Sequence, residues 1–355
     1  MNTPAISFNG IDKYIRITDI DENTHRFNVD NITSPKETND DYLLTEGDIL
    51  FARTGASVGK TYIYNSNDGK IYYAGFLIKG HIRKNYDSRF VFETTLLSRY
   101  TNFVKITSIR SGQPGINANE YKKYTFYTPT LNEQRLLSTL MQKLEKLLSL
   151  QQRKLEQLKQ LKKAMLQKIS NHKLMVDDKE YENMKVKVAD IYTVTRGNVL
   201  AKGKISPQKS NKYLYPVYSS QTKNDGLMGY YEKYLFENAI TWTTDGANAG
   251  TVKYREGKFY STNVNGVLLS NKGYANKLAA SLLNQVAFKY VSHVGNPKLM
   301  NNVMKEITFQ IPKNVKVQIK LSKYLALLEK SIDNQLVIEN EYKKLRKFLL
   351  QKLFI

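Results

Sequence analysis

The stretch from Gly55 to Thr61 has the residue types of a phosphate-binding loop. It reads GASVGKT, and the motif GxxxxGK[ST] surrounds phosphates with backbone N–H groups and a lysine. The stretch is one residue short, because Thr54 stands where the first glycine should be. A related glycine-rich stretch at 246–250 is followed by Thr251 and Val252, with no lysine at the matching place. We therefore interpret both stretches as tight turns between strands, where glycine adopts backbone conformations that other residues resist.

No other group of side chains indicates catalysis or metal binding. Asp48 and Asp245 are single carboxylates near predicted strand ends, where a capping or turn role is more common than general-base chemistry. The absence of cysteine excludes disulfides and cysteine-ligated zinc. The four histidines are scattered, without a pair at helical ligand spacing: His25, His81, His172 and His293. We predict no catalytic residue, no metal site and no cofactor bound by this chain.

Polar side chains recur around the two glycine-rich turns and around a second loop that follows each of them. Arg, Asn and Gln can form paired hydrogen bonds with base edges, whereas Lys suits phosphates. In the first copy the DNA-binding candidates are Arg53, Thr54, Ser57, Lys60, Arg110 and Gln113. In the second copy they are Thr244, Asn248, Lys253, His293, Asn296 and Lys298. The alternative for each residue is an ordinary solvated loop position.

The charge balance indicates a polyanionic partner. Lys and Arg outnumber Asp and Glu by 54 to 32, which gives the 355-residue chain a formal charge of +22. Such a field favours nucleic acid first and an anionic membrane surface second. The sequence has no apolar run long enough to span a bilayer and no secretory-signal layout at its start, so we expect a cytoplasmic protein without a membrane partner.

Two long amphipathic segments organise the chain. Residues 131–169 contain neither Gly nor Pro, and their leucines recur three or four apart, which predicts one helix capped by Asn132. Residues 311–355 have the same character, and a shift of 184 positions aligns Gln134 with Gln318 and Glu145 with Glu329. Shared LEK and LQK blocks at one offset indicate an internal duplication. The alternative is two independent coiled-coil helices. An apolar stripe needs a partner, and each helix offers one to the other.

The segments before each helix are rich in strand formers and turn residues. In the first we predict strands at 14–18, 48–52, 60–64 and 71–76, a hairpin turn at Asp68 and Gly69, and one helix within 90–106. Residues 55–59 match 246–250 at an offset of 191, and 112–114 match 295–297 at 183. The predicted segments are 1–129, 130–172, 173–310 and 311–355. When 13–15 are aligned with 212–214, the first globule lacks about 25 residues present in the second, so we expect it to be shortened at its N-terminus.

This order of segments resembles the DNA-specificity (S) subunits of type I restriction-modification systems. The resemblance covers nearly the whole chain. The sequences that carry it are GDILFARTGASVGKTYIY at 47–64, SGQPGIN at 111–117, the helix at 131–169 that opens with LNEQ, and YPVYSSQTKNDGLMGYY at 215–231.

The resemblance implies an α+β fold, with two strand-rich target-recognition domains joined by two long helices packed as an antiparallel coiled coil. Each domain would read one half of a split site in double-stranded DNA. Two methyltransferase subunits and restriction subunits would bind this scaffold. Adenine methylation with S-adenosylmethionine would occur in the methyltransferase partners, which extrude the base from the duplex.

Two alternatives from other classes remain at this stage. One is an enzyme built on the loop at 55–61, which turnover by the purified chain alone would support. The other is a coiled-coil adaptor that binds nucleic acid without sequence specificity. Binding that ignores sequence even in the presence of methyltransferase subunits would favour the adaptor.

Overall fold

The chain forms two compact units in a computed structural model that describes residues 1–171, 175–176, 179–220 and 223–354. The first unit comprises Met1–Gln152 and Ile338–Ile355, and the second comprises Arg153–Val337. Each unit therefore contains one globule and a part of each long helix. The four consecutive segments predicted above remain a prediction. Their boundary at 172/173 and the side chain of His172 lie outside the described residues.

The globule of the first unit consists of short strands and three helices. Its strands are β1 (Ala5–Ser7), β2 (Lys13–Ile15), β3 (Thr33–Pro35), β4 (Asp48–Ala52), β5 (Thr61–Ile63), β6 (Ile71–Tyr73) and β7 (Leu77–His81). Its helices are α1 (Ser88–Thr94), α2 (Ser98–Thr107) and α3 (Ala118–Tyr121). Strand β4 lies between β5 and β7 and is antiparallel to both, whereas β2 runs parallel to β6. Buried Ile15, Leu50, Tyr62 and Ile71 form part of its core.

Two local predictions for this globule were wrong. The predicted hairpin at Asp68 and Gly69 does not form, because β5 pairs with β4 while β6 pairs with β2. The Tyr62 hydroxyl donates a 2.7 Å hydrogen bond to the Asp68 carboxylate, and Gly69 has a φ of +82°, so the chain turns here from one sheet into another. The predicted single helix within 90–106 is two helices, α1 and α2. The Thr95 hydroxyl bonds back to the Phe92 carbonyl where α1 ends.

The second unit has a larger sheet. A short pair of strands, β8 (Met175–Val176) and β9 (Lys179–Glu180), comes first. The strands that follow are β10 (Asn183–Lys187), β11 (Thr193–Arg196), β12 (Tyr215–Tyr218), β13 (Leu227–Tyr231), β14 (Phe236–Thr243), β15 (Val252–Ser261), β16 (Asn265–Leu269) and β17 (Thr308–Pro312). The strand order in the sheet is β11-β16-β14-β15-β12-β13, and β10 pairs separately with β17. The long helix α4 (Leu131–Ser170) precedes them all, and the short helices among them are α5 (Val188–Ile191), α6 (Lys277–Ala287) and α7 (Asn301–Glu306). Trp242 is buried in this sheet, and its indole N–H donates to the Leu299 carbonyl at 2.9 Å.

Strand pairing supports the duplication and corrects one alignment. In each unit the strand before the glycine-rich turn pairs with the strand after it: β4 with β5, and β14 with β15. The Ala74 N–H donates to the Ile15 carbonyl, and the Thr262 N–H donates to the Tyr218 carbonyl, both at 3.0 Å. Ile15 therefore corresponds to Tyr218, and the predicted alignment of 13–15 with 212–214 was wrong by four positions. The register of the sheet sets this correspondence. The Lys-Tyr pair that both stretches contain, at 13–14 and 212–213, is not at equivalent positions.

The helix predicted over 131–169 is confirmed as α4, and α8 (Val315–Leu353) is the second long helix. In the first unit Met141 shares a buried cluster with Leu350, and Glu145 bonds to Arg346 at 2.9 Å. In the second unit Lys162 bonds to Glu329 at 2.7 Å, and buried Ile169 shares the core with Val317. Within each unit, residues later in α4 therefore contact residues earlier in α8, so the two helices run antiparallel there.

The cap of α4 differs from the prediction. Helix α4 begins at Leu131, so Asn132 lies inside it and Thr130 precedes it. The Thr130 N–H and hydroxyl both donate to the Glu133 carboxylate, at 3.0 and 2.7 Å. The Glu133 N–H in turn points back to the Thr130 hydroxyl at 3.4 Å. This reciprocal pair is a capping box, in which Thr and Glu three positions apart satisfy donors at the helix start.

A buried glutamine joins each globule to its long helix. In the first unit Gln134 accepts from the N–H of Asp87, the residue that caps α1, at 3.0 Å, and its amide donates to the Pro129 carbonyl at 2.9 Å. In the second unit Gln318 accepts from Asn276, which caps α6, at 2.8 Å, and donates to the Pro312 carbonyl at 2.6 Å. We call these sites the glutamine junctions.

A glutamate about three turns further along each long helix binds two cations. Glu145 pairs with Arg89 of α1 at 2.6 Å and with Arg346 of α8 at 2.9 Å. Its counterpart Glu329 pairs with Lys277 of α6 and Lys162 of α4, at 2.6 and 2.7 Å. Each glutamate thereby links its own long helix to the globule and to the opposite long helix. Burial acts to raise the pKa of Glu329, but the hydrogen bonds from the two lysines outweigh it and lower that pKa.

We expect Gln318→Leu to lower the free energy of unfolding by about 1–3 kcal/mol, because the Pro312 carbonyl and one of the two Asn276 amide hydrogens lose their partner. The other Asn276 hydrogen keeps its bond to the Gly273 carbonyl. Chemical denaturation followed by circular dichroism measures this change. Gln142→Leu on an exposed position of α4 is the matched control. Equal stability of the two variants would contradict a structural role for the glutamine junction.

Candidate DNA interface

Two loops meet at the same place in each unit. In the first unit the Gly55 N–H donates to the Pro114 carbonyl at 3.0 Å, and the Ile116 N–H donates to the Arg53 carbonyl at 2.8 Å. In the second unit the Gly246 N–H donates to the Pro297 carbonyl at 2.9 Å, and the Leu299 N–H donates to the Thr244 carbonyl at 2.8 Å. The two loops that the sequence showed separately therefore form one surface per unit, which we call the paired loops.

Glycine is required where the turn packs against the globule. Gly59 has a φ of +86°, and a Cβ there would lie 2.5 Å from a Val104 methyl group. Gly250 has a φ of +85°, and a Cβ would lie 2.7 Å from a Val291 methyl group. Both the backbone conformation and the close approach exclude a side chain. These contacts support the interpretation of the two stretches as strand-to-strand turns.

The paired loops of the first unit bring together five of its six predicted residues. Arg53 and Gln113 are exposed, and Thr54 and Ser57 are half-buried beside them. Arg110 is also in this loop pair, but it donates to the Glu120 carboxylate at 2.5 Å. Lys60 is directed elsewhere.

The side chain of Lys60 stabilises the globule. It is only 10% exposed and donates to the Ile20 carbonyl at 3.0 Å, with Glu22 at 3.6 Å. A phosphate contact would need this ammonium group to leave its carbonyl partner. The structure thus places Lys60 inside the globule, beside the loop surface and not on it.

The paired loops of the second unit expose four of the predicted residues: Asn248, His293, Asn296 and Lys298. The backbone of Lys298 pairs with Ser292 in both directions, at 2.8 and 3.0 Å, which closes the loop that carries His293 and Asn296. Thr244 is buried, and its hydroxyl donates to the Val264 carbonyl at 2.8 Å. Lys253 pairs with Asp225. Thr244 and Lys253 are therefore engaged within the unit.

A cavity of about 830 Å³ lies beside the paired loops of the first unit, lined in part by Thr54, Gln113 and Arg16. Phe76 also lines it and is 64% exposed. The sequence analysis missed Phe76 because it fell at the end of a predicted strand, where an aromatic residue is typical of a core. Its N-terminal neighbour Gly75 was the only local signal of a turn.

The second unit carries further positive charge that the sequence analysis did not select. Four exposed lysines lie in the segment between β11 and β12, and none forms an ion pair with a residue that the structure describes: Lys202, Lys204, Lys209 and Lys212. Within the same described part of the chain, no cluster of three His, Cys, Asp or Glu side chains could hold a metal ion. No helix in the described part of the chain combines the length and the apolar character that a membrane span requires.

Comparison with known proteins identifies the family. Residues 1–160 and 180–342 match the model of the type I restriction modification DNA specificity domain, and together they make up most of the chain. The chain belongs to this family. The resemblance drawn from the sequence is confirmed. Members of this specificity family recognise DNA sequence within restriction-modification complexes and have no catalytic role in them.

Individual relatives agree with the family match. The chain is 39% identical over 142 residues to a Mycoplasma pneumoniae protein named as the N-terminus of a type I specificity subunit, a match that covers 39% of this chain and 74% of the relative. It is 38% identical over 153 residues to the specificity subunit of the type I restriction enzyme MpnII from the same organism. That match covers 42% of this chain and 44% of the relative, so it spans less than half of the relative's length.

A solved structure shares the fold of the family member described here. The crystal structure of a type I restriction-modification S subunit from M. genitalium aligns with a TM-score of 0.69. The alignment covers 98% of this chain and 89% of that chain, at 15% sequence identity. The predicted α+β architecture with two long helices is confirmed by this likeness.

We expect Lys60→Met to lower the free energy of unfolding by about 1–3 kcal/mol, since it leaves the Ile20 carbonyl without its donor. Arg53→Met removes the same charge from an exposed position a few residues away and should change stability by less than about 0.5 kcal/mol. Thermal and chemical unfolding of the two variants separate these roles. A Lys60→Met variant as stable as wild type would show that this lysine is free for other partners.

Proposed function

We propose that the chain reads a bipartite DNA site, with one half-site recognised by the paired loops of each unit. The observation that carries this proposal is the repeated backbone arrangement at Gly55 and Gly246, each bonded to the carbonyl of a proline in the second loop. The arrangement repeats, whereas the side chains displayed on it differ between the copies. A duplicated frame with unlike side chains is suited to two unlike half-sites.

The exposed loop residues divide into two roles. Gln113, Asn248 and Asn296 have amides that can contact base edges in the major groove. Arg53 and Lys298 supply charge for phosphates, and Arg can also bind guanine. Ser57, Thr54 and His293 add hydrogen-bonding groups, and Arg110 joins them if it exchanges Glu120 for DNA. Lys60 and Thr244 stand apart, because their bonds within the globule hold them away from the surface.

The partners belong to the same proposal. Two methyltransferase subunits and restriction subunits would bind this chain, and adenine methylation with S-adenosylmethionine would take place in the methyltransferases, on DNA in the cytoplasm. Exposed apolar side chains on α4 support a protein partner: Leu136, Leu140, Leu147 and Leu150 in the first unit. Large apolar groups along the outer face of a helix are typical of a surface that another protein covers.

Exchange of the second globule tests the reading of half-sites. We expect replacement of residues 186–310 by the corresponding domain of another family member to change one half of the methylated site and leave the other half unaltered. Adenine-methylation mapping of a genome that expresses the chain with its methyltransferase gives the result. Methylation without any consensus would favour the non-specific adaptor, and a change in both half-sites would refute the division between the units.

Substitution on α4 tests the docking of the methyltransferase. We expect Leu140→Lys combined with Leu147→Lys to reduce co-purification of the methyltransferase by at least about tenfold, because two buried charges would oppose the interface. The matched control combines Leu140→Met with Leu147→Met, which keeps the apolar surface. Equal co-purification of both variants would place the partner on another face.

A further inference from the structure

Arg255 of β15 is a buried cation near the paired loops of the second unit. Its side chain is 6% exposed, and its guanidinium carbon lies 3.8 Å from the centre of the Tyr218 ring. It donates to the Thr241 hydroxyl at 3.2 Å and to the Asp225 carboxylate at 2.6 Å. Burial of a guanidinium requires an acceptor with negative charge, and Asp225 supplies it here.

Asp225 reaches this position from an unusual backbone conformation. Its φ is +57° and that of Asn224 is +48°, both in the left-handed region that non-glycine residues seldom adopt. The Asp225 side chain also pairs with Lys253 and is still 64% exposed. A conformation of this kind persists when other contacts impose it. The two cations therefore hold an otherwise unfavoured and solvent-accessible carboxylate between them.

The surroundings of the two cations suit a small oxyanion. Hydroxyl and amide groups line the same small cavity: Ser219, Thr241, Thr243, Thr251 and Asn265. The cavity itself measures about 20 Å³, which is room for roughly one water molecule. Because Arg255 is almost fully buried, a phosphate would meet its guanidinium where the Asp225 carboxylate now lies.

The site lies beside the surface that we assign to DNA. Thr243 and Thr251 bracket the glycine-rich turn, and the Thr243 N–H donates to the Thr251 carbonyl at 3.0 Å. In the first unit the strand pairing places Tyr62 at the position of Lys253, so that copy has no cation there. The feature is therefore specific to the second unit.

We propose that Arg255 and Lys253 form a binding site for a DNA backbone phosphate, which the Asp225 carboxylate occupies until DNA displaces it. The inference rests on the proposed function and adds a phosphate contact to it. Asp225 then acts as an internal competitor for the backbone. It lowers affinity for every duplex alike, because a phosphate carries no sequence information. The ratio between the cognate site and other DNA is unaffected.

The test measures binding of the full-length chain to two fluorescent duplexes, one containing the mapped site and one with that site scrambled. Asp225→Asn should bind both duplexes about two- to fivefold more tightly, in line with the strength of an exposed ion pair. Lys253→Met should weaken binding to both and reduce the slope of log affinity against log salt by about 0.9, the value for one lost phosphate contact.

Matched variants separate this effect from general charge and from folding. Glu256→Gln removes an exposed negative charge from the same strand, one residue from Arg255, and should give less than half of the gain. Asp225→Glu keeps the carboxylate and should give no gain. Equal gains from Glu256→Gln and Asp225→Asn would overturn the proposal, as would weaker binding by an Asp225→Asn variant whose unfolding midpoint is unchanged. An Asp225→Asn variant that unfolds earlier and binds no more tightly would show that the ion pair serves only to hold the chain.

The same data distinguish failure of the proposed function. If the wild-type chain bound both duplexes equally, sequence recognition would be refuted, whatever Asp225→Asn did. If the wild type preferred the mapped site but Asp225→Asn gained nothing over Glu256→Gln, only the phosphate site would be refuted.

Discussion

The need to satisfy a buried amide governs how each globule is attached to its long helix. Gln134 and Gln318 lie near the starts of α4 and α8. Gln134 accepts a hydrogen bond from Asp87, which caps α1, and Gln318 accepts one from Asn276, which caps α6. A buried amide left without partners costs more than its hydrogen bonds contribute when made. The orientation that satisfies the glutamine is therefore strongly preferred. About three turns further along the helices, Glu145 and Glu329 add a charged link to the opposite long helix.

This attachment leaves the paired loops free to vary. The backbone bonds at Gly55 and Gly246 involve N–H and carbonyl groups, which every residue except proline supplies. Side chains at the exposed positions contribute little to those bonds. The first unit can thus present Ser57 and Gln113 where the second presents Asn248 and Asn296, with the same backbone bonds beneath. A frame built from the main chain is compatible with many different side chains at the exposed positions.

A net charge of +22 does not make every cation available to DNA. Lys60 is used to satisfy a carbonyl inside its globule, and Lys253 shares a carboxylate with Arg255. In contrast, Lys298 and the four lysines between β11 and β12 are exposed. Cations of this second kind are free to meet a phosphate without first breaking a bond in the protein, whereas Lys253 and Arg255 must first lose Asp225.

The sequence by itself determined the elements whose signals are local. Leucine spacing predicted α4, the shared LEK blocks predicted the duplication, and paired glycines predicted the turns at 55–59 and 246–250. The tertiary structure decided what depends on distant partners. These features are the pairing of β6 with β2, the break between α1 and α2, the correspondence of Ile15 with Tyr218, and the ion pair of Asp225 with Arg255. The physical reason is the distance along the chain over which each interaction acts. Helical periodicity and a positive φ act within a few residues, whereas strand pairing, exposure of Phe76 and ion pairing are set by groups that lie far apart in the chain and meet only after packing.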